Sequence, residues 1–237
     1  MGRKLLLAVL GLAMLSASAA GQAQQPWTFS NNLRYLAMGD SLTAGYGATP
    51  VTNGYAYLLY QQGVYDSMTN TIFADAAVPG ATSQQVLNFQ VPEATQIFQP
   101  NVVTMTVGGN DLIAILGGAD ATQVLQGFQA NLSMIVTQLC TALPSARIYV
   151  ANLYSIQNFP VPTDQVVDAF NQVVAGVIGF ANGTVCGGRV KIADVHAAFS
   201  GSQEGLLLIN RNNAGQFEVH PTNAGYRAMA QAFIAAK

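Results

Sequence analysis

The residue best placed to do chemistry is Ser41, in the segment 38–47, whose sequence is MGDSLTAGYG. It follows a short apolar run, residues 33–38, that predicts a buried strand, and it lies where we expect a helix to begin. A serine there presents its hydroxyl at the mouth of a cleft, and its backbone N–H favours negative charge. Acyl transfer needs these two groups, a nucleophile and a donor to the developing oxyanion. The alternative is that Ser41 or Asp40 only caps the helix.

Two further residues at predicted strand ends could donate to the same oxyanion. Gly80 follows the second predicted strand, and a glycine permits close approach of its backbone N–H to a ligand. Asn110 follows the third predicted strand, and its side-chain amide donates without carrying charge. Since ligands of an open parallel sheet bind beyond the carboxyl ends of the strands, we expect Ser41, Gly80 and Asn110 to face one crevice.

A serine nucleophile needs a base, and the sequence contains two histidines. His220 precedes the last predicted helix, in the segment FEVHPTNAGY, and His196 follows the fifth predicted strand. A lone histidine is more often structural than catalytic, so these residue types alone leave the choice open.

Predicted strands and helices alternate along the chain and would position these side chains. The predicted strands are residues 33–38, 71–77, 101–107, 146–153 and 189–195. Predicted helices begin near residues 55, 82, 120, 163 and 222. This alternation predicts a parallel sheet covered by helices on both faces, in one α/β domain over residues 21–237.

The N-terminus has the pattern of a secretory signal peptide, residues 1–20. Basic Arg3 and Lys4 precede an apolar run, residues 5–15, and small residues follow, with cleavage expected near Ala19, Ala20 or Ala23. The apolar run is too short to span a bilayer comfortably, and no transmembrane segment is predicted in the mature chain. We therefore expect a secreted or periplasmic protein.

The net charge and the cysteines indicate which classes of binding site are disfavoured. Without Arg3 and Lys4, seven basic residues face eleven acidic ones, so the mature net charge is 7 − 11 = −4, which disfavours nucleic-acid binding. The two cysteines, Cys140 and Cys186, would form a disulfide in an oxidising space, although two buried thiols are the alternative. No metal site is predicted, because neither cysteine has a nearby Cys or His at ligand spacing.

Four segments resemble, in order, the sequence blocks of the GDSL, or SGNH, hydrolase family: GDSL at 39–42, Gly80, GGND at 108–111 and HP at 220–221. The resemblance spans nearly the whole mature chain. It implies a flavodoxin-like, three-layer αβα fold with a five-stranded parallel sheet in the order 2-1-3-4-5. It also implies ester hydrolysis through an acyl-enzyme, without metal or organic cofactor.

The resemblance also implies a role for each matching residue. Ser41 resembles the nucleophile and first oxyanion donor, Gly80 the second donor, Asn110 the side-chain donor and His220 the general base. The protein is thus expected to be a secreted esterase or lipase for small-molecule or lipid esters. A carbohydrate O-acetyl esterase of the same family and a catalytically weak binding module on this scaffold stay open as alternatives.

One departure from the family concerns the acid that orients the histidine. The family usually has an aspartate three residues before it, and here that position is Phe217. Three alternatives remain: Glu218 orients His220, a backbone carbonyl does so, or a distant acid such as Glu204 or Asp194 does.

The loops expected to frame Ser41 carry apolar side chains: Tyr46, Tyr55, Leu112, Ile113, Ile115, Leu116, Tyr154 and Phe159. We hypothesise that they form an apolar trough for an acyl chain; the alternative is that the segments 112–116 and 206–209 are simply core. Asp40 and Asp111 are predicted to be caps or turn organisers, and His196 a surface or packing residue.

Overall fold

The structure is a computed structural model that describes residues 32–157, 163–208 and 219–237. The predicted signal peptide, Phe159 and Glu218 lie outside these ranges. Within them, five parallel strands form one sheet: β1 (Leu33–Gly39), β2 (Thr71–Asp75), β3 (Val102–Thr106), β4 (Arg147–Ala151) and β5 (Val190–Ala193). The strand order β2-β1-β3-β4-β5 confirms the predicted topology.

Helices cover both faces of the sheet. They are α1 (Tyr55–Gln61), α2 (Ser83–Gln85), α3 (Gly109–Leu116), α4 (Ala121–Ala142), α5 (Asp164–Ala181), α6 (Val195–Ala198) and α7 (Asn223–Ala235). Helix α2 continues into π-helical turns at Val86–Gln90 and Glu93–Phe98, and another π-helical turn, Asn182–Cys186, follows α5. Asp120 caps α4 and Thr222 caps α7, each by accepting backbone N–H groups of the first turn.

Side chains alternate along β1 between the two hydrophobic cores, one on each face of the sheet. Leu36 and Met38 pack into the cluster under α2 to α5, whereas Tyr35 and Ala37 pack into the cluster under α1, α6 and α7. Because each face is covered, consecutive residues of a strand are all buried, which gives the apolar runs that identified the strands. The predicted three-layer α/β architecture is confirmed.

The predicted helix after Ser41 is wrong. Residues 41–47 form successive turns, in which the Ala44 N–H donates to the Asp40 carbonyl at 3.1 Å. A short 3₁₀ helix follows at Val51–Asn53, and the first α-helix begins only at Tyr55. Gly45 and Gly47 adopt φ values of +72° and +85°, which an α-helix does not permit.

A disulfide joins Cys140, in the last turn of α4, to Cys186, at the end of the π-helical turn after α5, with their Cα atoms 5.2 Å apart. This pair confirms the predicted disulfide. It lies beside the amino ends of β4 and β5, since α4 leads into β4 and the π-helical turn leads into β5. By length and composition the stretch Asp164–Cys186 could cross a membrane, but its buried side chains, such as Phe170, pack into the core.

Candidate active site

Ser41 and His220 meet at the carboxyl edge of the sheet. Ser41 lies in the turn after β1, and His220 lies just before α7. They are separated by 179 residues, and the Ser41 Oγ is 2.8 Å from the His220 Nε2. This is hydrogen-bonding distance, so the imidazole is in position to take the hydroxyl proton.

The turn that carries Ser41 is held against β3. Gly39 has a φ of +129°, and a Cβ at this position would lie 2.0 Å from the Thr106 carbonyl oxygen, so only glycine fits. The buried Asp40 carboxylate accepts the Thr106 hydroxyl at 2.7 Å and the Leu42 N–H at 3.0 Å. Asp40 is therefore a turn organiser, as predicted.

Burial gives the Asp40 carboxyl an unusual affinity for protons. Loss of solvent raises its pKa to about 6, although the hydrogen bonds from Thr106 and Leu42 and the positive charge of a protonated His220 favour the ionised form. The Thr106 hydroxyl is in turn 2.7 Å from that of Thr43, which belongs to a buried chain ending at the Tyr55 hydroxyl. The base of the turn is thus a closed polar network.

Gly80 and Asn110 line the same cavity as Ser41 and His220. Gly80 has a φ of +85°, and a Cβ there would touch nothing within 4 Å, so backbone conformation and not space selects glycine. The Asn110 Nδ2 donates to the Ala81 carbonyl at 2.9 Å, which fixes the orientation of the amide. An amide nitrogen carries two hydrogens, so the second can donate to a ligand in the cavity.

The segment after Gly80 is tied to α3 and α4. The Asp111 carboxylate accepts the Ser83 N–H at 2.9 Å and the Ser83 hydroxyl at 2.6 Å. The buried Asn131 amide on α4 donates to the same hydroxyl at 2.9 Å. Asp111, in the first turn of α3, therefore ties α3 to the start of α2, whose N-cap is Thr82.

His220 is fixed by contacts of its backbone and of its ring. Its carbonyl accepts the Leu208 N–H at 2.9 Å, and the preceding Val219 carbonyl accepts the Tyr154 hydroxyl at 2.6 Å. The Tyr46 ring packs against the imidazole, with centroids 4.4 Å apart. These contacts limit the movement of the imidazole relative to Ser41.

A second set of bonds fastens the loop after Ser41 to α7. The Asn223 side chain accepts the Thr49 N–H at 2.9 Å and donates to the Thr49 carbonyl at 2.7 Å. The Tyr226 hydroxyl donates to the Tyr46 carbonyl at 2.6 Å. The predictions had not included these positioning contacts, because they depend on residues about 170 to 180 positions apart.

Glu218 lies outside the described residues, so orientation of His220 by Glu218 or by a carbonyl stays a prediction. Of the distant acids, Asp194 accepts the Asn152 amide at 2.8 Å and caps α6 through the Ala197 N–H at 3.0 Å. Glu204 is exposed. His196 lies on α6 and is half-buried, and its backbone N–H donates to the Asn152 Oδ1 at 2.8 Å.

A cavity of about 660 Å³ opens beside Ser41. Five of the predicted trough residues line it: Tyr46, Leu112, Ile113, Leu116 and Tyr154. Further apolar walls come from Leu153, Ile156, Val167, Val195 and Met229. The cavity is thus a mainly apolar chamber between α3, α5 and the loop after β4.

Two of the described trough residues, Tyr55 and Ile115, do not line the cavity. Tyr55 is fully buried and stacks on Phe233 with ring centroids 4.5 Å apart, so it belongs to the core. Ile115 packs against the core under α2 to α5, and Leu207 against the core under α1, α6 and α7. For Leu206 and Leu207, core packing is therefore the correct alternative.

Gln90 is another residue that the sequence analysis missed. Its side chain is buried and bonds to the backbone of Gly39. One sequence feature could have identified Gln90: it is a glutamine within the largely apolar run 86–91. A buried glutamine is costly unless both ends of its amide are hydrogen-bonded. Within the part of the chain that is described, no group of three His, Cys, Asp or Glu side chains could hold a metal ion.

Known proteins similar to this chain include lipases and esterases. The spore germination lipase LipC of Bacillus licheniformis is 25% identical over 215 residues, covering 86% of this chain and 96% of that protein. The structure of the lipase Lip_vut3 from a goat rumen metagenome matches with a TM-score of 0.62 and 23% identity, covering 86% of this chain and 97% of the other. A variant of Axe2, an acetyl-xylooligosaccharide esterase from Geobacillus, matches with a TM-score of 0.64 and 20% identity, covering 87% and 95%.

At these identities the two structures support the fold alone, and the family follows from the sequence. Residues 37–228 match the GDSL-like Lipase/Acylhydrolase family, and this range includes Ser41, Gly80, Asn110 and His220. The chain belongs to the GDSL-like lipase/acylhydrolase family, whose members are carboxylic ester hydrolases.

Proposed function

We propose that this carboxylic ester hydrolase cleaves its substrate through a covalent acyl-enzyme on Ser41, with His220 as general base. The single observation that carries the proposal is the 2.8 Å separation between the Ser41 Oγ and the His220 Nε2. A serine hydroxyl is a weak nucleophile at neutral pH, and a hydrogen-bonded imidazole is the usual means of activating it.

In the first half-reaction, the His220 Nε2 takes the Ser41 proton while the Oγ attacks the ester carbonyl carbon. The oxyanion that forms accepts hydrogen bonds from the Ser41 N–H, the Gly80 N–H and the Asn110 Nδ2. When the tetrahedral intermediate collapses, the imidazolium gives its proton to the departing alcohol. A water molecule, deprotonated by His220, then attacks the acyl-enzyme, and the acid leaves as Ser41 regains its proton.

The cavity supports an ester with an apolar acyl chain as the substrate. Its walls on α3 and α5 are Leu112, Ile113, Leu116 and Val167, which cannot hydrogen-bond to a sugar through their side chains. Each methylene that enters such a wall contributes about 0.8 kcal/mol. We therefore infer that lipid or other medium-chain esters react faster than acetylated carbohydrates, the alternative substrate class.

We also infer that the enzyme acts outside the cytoplasm. The disulfide between Cys140 and Cys186 is compatible with an oxidising compartment, and residues 1–20 have the composition of a secretory leader. N-terminal sequencing of protein recovered from the culture medium or periplasm tests this inference. A mature chain that begins near Ala19, Ala20 or Ala23 is expected, and protein found only in the cytoplasm with Met1 retained would contradict the inference.

Two measurements test the chemistry and the substrate. A fluorophosphonate probe should label the wild type and leave Ser41→Ala unlabelled; an unlabelled wild type would favour the binding module instead. A series of p-nitrophenyl esters from acetate to about decanoate, beside an acetylated xylose, should show kcat/KM rising with chain length. A strong preference for the acetylated sugar would overturn the apolar acyl site.

A further inference from the structure

Within the described residues, the Gln90 side chain hydrogen-bonds to Gly39 through both ends of its amide. Its Oε1 accepts the Gly39 N–H at 2.6 Å, and its Nε2 donates to the Gly39 carbonyl at 2.8 Å. Gln90 is only 3% exposed. A buried amide is costly unless both ends are paired, so these two bonds account for a glutamine at this buried position.

The geometry of the sheet explains why Gly39 needs this partner. Ala37 directs its backbone groups towards β2, where its carbonyl accepts the Ala76 N–H at 2.9 Å. Gly39 lies two residues further along and faces the same side, but β2 ends at Asp75. The Gln90 Oε1 therefore supplies the acceptor for the Gly39 N–H that a further residue of β2 would have supplied, and the Gln90 Nε2 adds a donor to the Gly39 carbonyl.

The Gly39 carbonyl, which accepts the Gln90 amide, also bonds to the loop that carries Gly80. The Gly39 carbonyl accepts the Val78 N–H at 3.0 Å as well as the Gln90 Nε2 at 2.8 Å. Val78 lies two residues before Gly80, and Gly39 lies two residues before Ser41. One glutamine thus holds the junction from which both the nucleophile turn and the Gly80 loop leave the sheet.

We propose that Gln90 is a positioning residue for catalysis: it holds the Ser41 turn and the Gly80 loop at the spacing that the oxyanion requires. The inference rests on the proposed acyl-enzyme mechanism. A misplacement of about 1 Å between a nucleophile and its partners costs about 100-fold in rate, so two bonds at this junction affect turnover without touching substrate.

Gln90→Met tests the proposal, because methionine has a similar length but neither a donor nor a suitable acceptor for the Gly39 groups. We expect kcat and the rate of fluorophosphonate labelling to fall by about 10- to 100-fold. KM should stay within about threefold, because Gln90 does not line the cavity walls that bind substrate.

The chain offers a matched control in Asn182. Its amide makes the same pair of bonds to one residue, donating to the Val190 carbonyl at 2.8 Å and accepting the Val190 N–H at 3.1 Å. This pair lies at the amino end of β5, away from Ser41. Asn182→Leu should lower the melting temperature and leave kcat within about twofold of the wild type. If Gln90→Met behaves in the same way, the proposal is overturned.

Gln90→Glu provides a second test that does not depend on the methionine variant folding. A protonated carboxyl has a donor and an acceptor, like the amide, whereas an ionised one cannot donate to the Gly39 carbonyl. The ratio of its kcat to that of the wild type should therefore rise as the pH falls from about 8 to about 5. A ratio that does not change with pH would contradict a positioning role.

Failure of this inference can be distinguished from failure of the proposed function. If the wild type is labelled at Ser41 and neither Gln90 variant changes labelling, the mechanism stands and the role of Gln90 falls. If the wild type is not labelled, the proposed mechanism itself is wrong.

Discussion

At the scale of single residues, the site depends on short contacts between positions far apart in sequence. The contact between Ser41 and His220 joins the segment after β1 to the segment before α7. Each residue is also held by a part of the chain distant in sequence. Thr106 on β3 donates to Asp40 beside Ser41, and Tyr46 packs on the His220 imidazole. Substitutions at these positions should therefore separate chemistry from positioning.

The histidine and its orienting group should contribute very different amounts. Removing the base in His220→Ala should lower kcat on the order of 10⁴- to 10⁶-fold, because nothing then takes the Ser41 proton. Some activity should remain, because the oxyanion donors and the binding site act without the histidine. Glu218→Gln should cost about 100-fold less than this, since a backbone carbonyl can still hold the ring. The measurement is kcat on one p-nitrophenyl ester, with the exposed Glu93→Gln as control. Equal losses in the His220 and Glu218 variants would exclude the carbonyl.

The buried Asp40 carboxyl should make stability depend on pH. Its pKa of about 6 in the folded protein lies above its ordinary value of 3.8, because burial disfavours the charged form. The folded state therefore binds the proton more tightly, and this stabilisation is complete below about pH 4 and is lost as the pH rises through about 6. Asp75 titrates in the same range, with a pKa also raised to about 6 by burial.

Asp40→Asn isolates the Asp40 contribution from that of Asp75. Asparagine keeps an oxygen for the Thr106 hydroxyl and the Leu42 N–H but cannot ionise. The unfolding free energy of the variant minus that of the wild type should therefore increase by about 2 to 3 kcal/mol between about pH 4 and about pH 7.5. Urea titrations at the two pH values measure it. A difference that is constant with pH would mean that Asp40 ionises as easily in the folded chain as in the unfolded one.

At the scale of elements, the cavity lies between α3, α5 and the loop after β4. The space available for an acyl chain therefore depends on the side chains that these two helices direct into it. Leu116, the last residue of α3, lines this cavity, whereas Ala114 on the same helix is exposed and is not part of the wall. Leu116→Trp should occupy space that a long acyl chain uses and lower kcat/KM for a decanoate ester about tenfold relative to an acetate ester.

Ala114→Trp is the matched control for the cavity, since it adds the same ring to the outer face of α3. Its ratio of decanoate to acetate activity should equal that of the wild type. If Leu116→Trp also keeps the wild-type ratio, the acyl chain does not enter this end of the cavity.

The elements themselves could be predicted from the sequence, but their ends could not. Apolar runs such as residues 101–107 located the strands because a parallel sheet buries both faces, and Asp120 and Thr222 marked helix starts by their capping chemistry. The helix after Ser41 was predicted wrongly, because the glycines at 45 and 47 take left-handed backbone that a local apolar pattern does not reveal. Strand β2 ends at Asp75, and beside its end the Gly39 N–H bonds to the Gln90 side chain and not to a strand carbonyl, which depends on tertiary contacts.

The site was predictable to the extent that its residues lie at strand ends. Ser41, Gly80 and Asn110 follow successive strands of the sheet, so the topology alone directs them to one edge. The contacts that hold them could not be predicted, because Gln90 and Asn223 each bond to backbone groups that only the folded chain brings near.

At the scale of the whole molecule, the two edges of the sheet carry different features. Ser41, Gly80 and Asn110 lie at the carboxyl edge, where strands give way to loops, and the disulfide between Cys140 and Cys186 lies beside the amino ends of β4 and β5. Stability and catalysis can therefore be altered independently. We expect a change at the amino edge to act on the unfolded chain and on the packing of α4 against α5, and to leave the site geometry intact.

The disulfide should contribute to stability and not to turnover. It closes a loop of 46 residues, and the loss of unfolded-chain entropy from such a loop corresponds to about 4 kcal/mol at most. Replacing both cysteines, Cys140→Ser with Cys186→Ser, should lower the unfolding free energy by about 2 to 4 kcal/mol in urea titrations and leave kcat at about 25 °C within twofold. Reduction of the wild type with dithiothreitol should give the same loss of stability, which controls for any effect of the serine side chains. A double variant with wild-type stability would mean that the packing of α4 against α5 already holds residues 140 and 186 together. A large fall in kcat would mean that a change at the amino edge of the sheet alters the geometry of the site at the carboxyl edge.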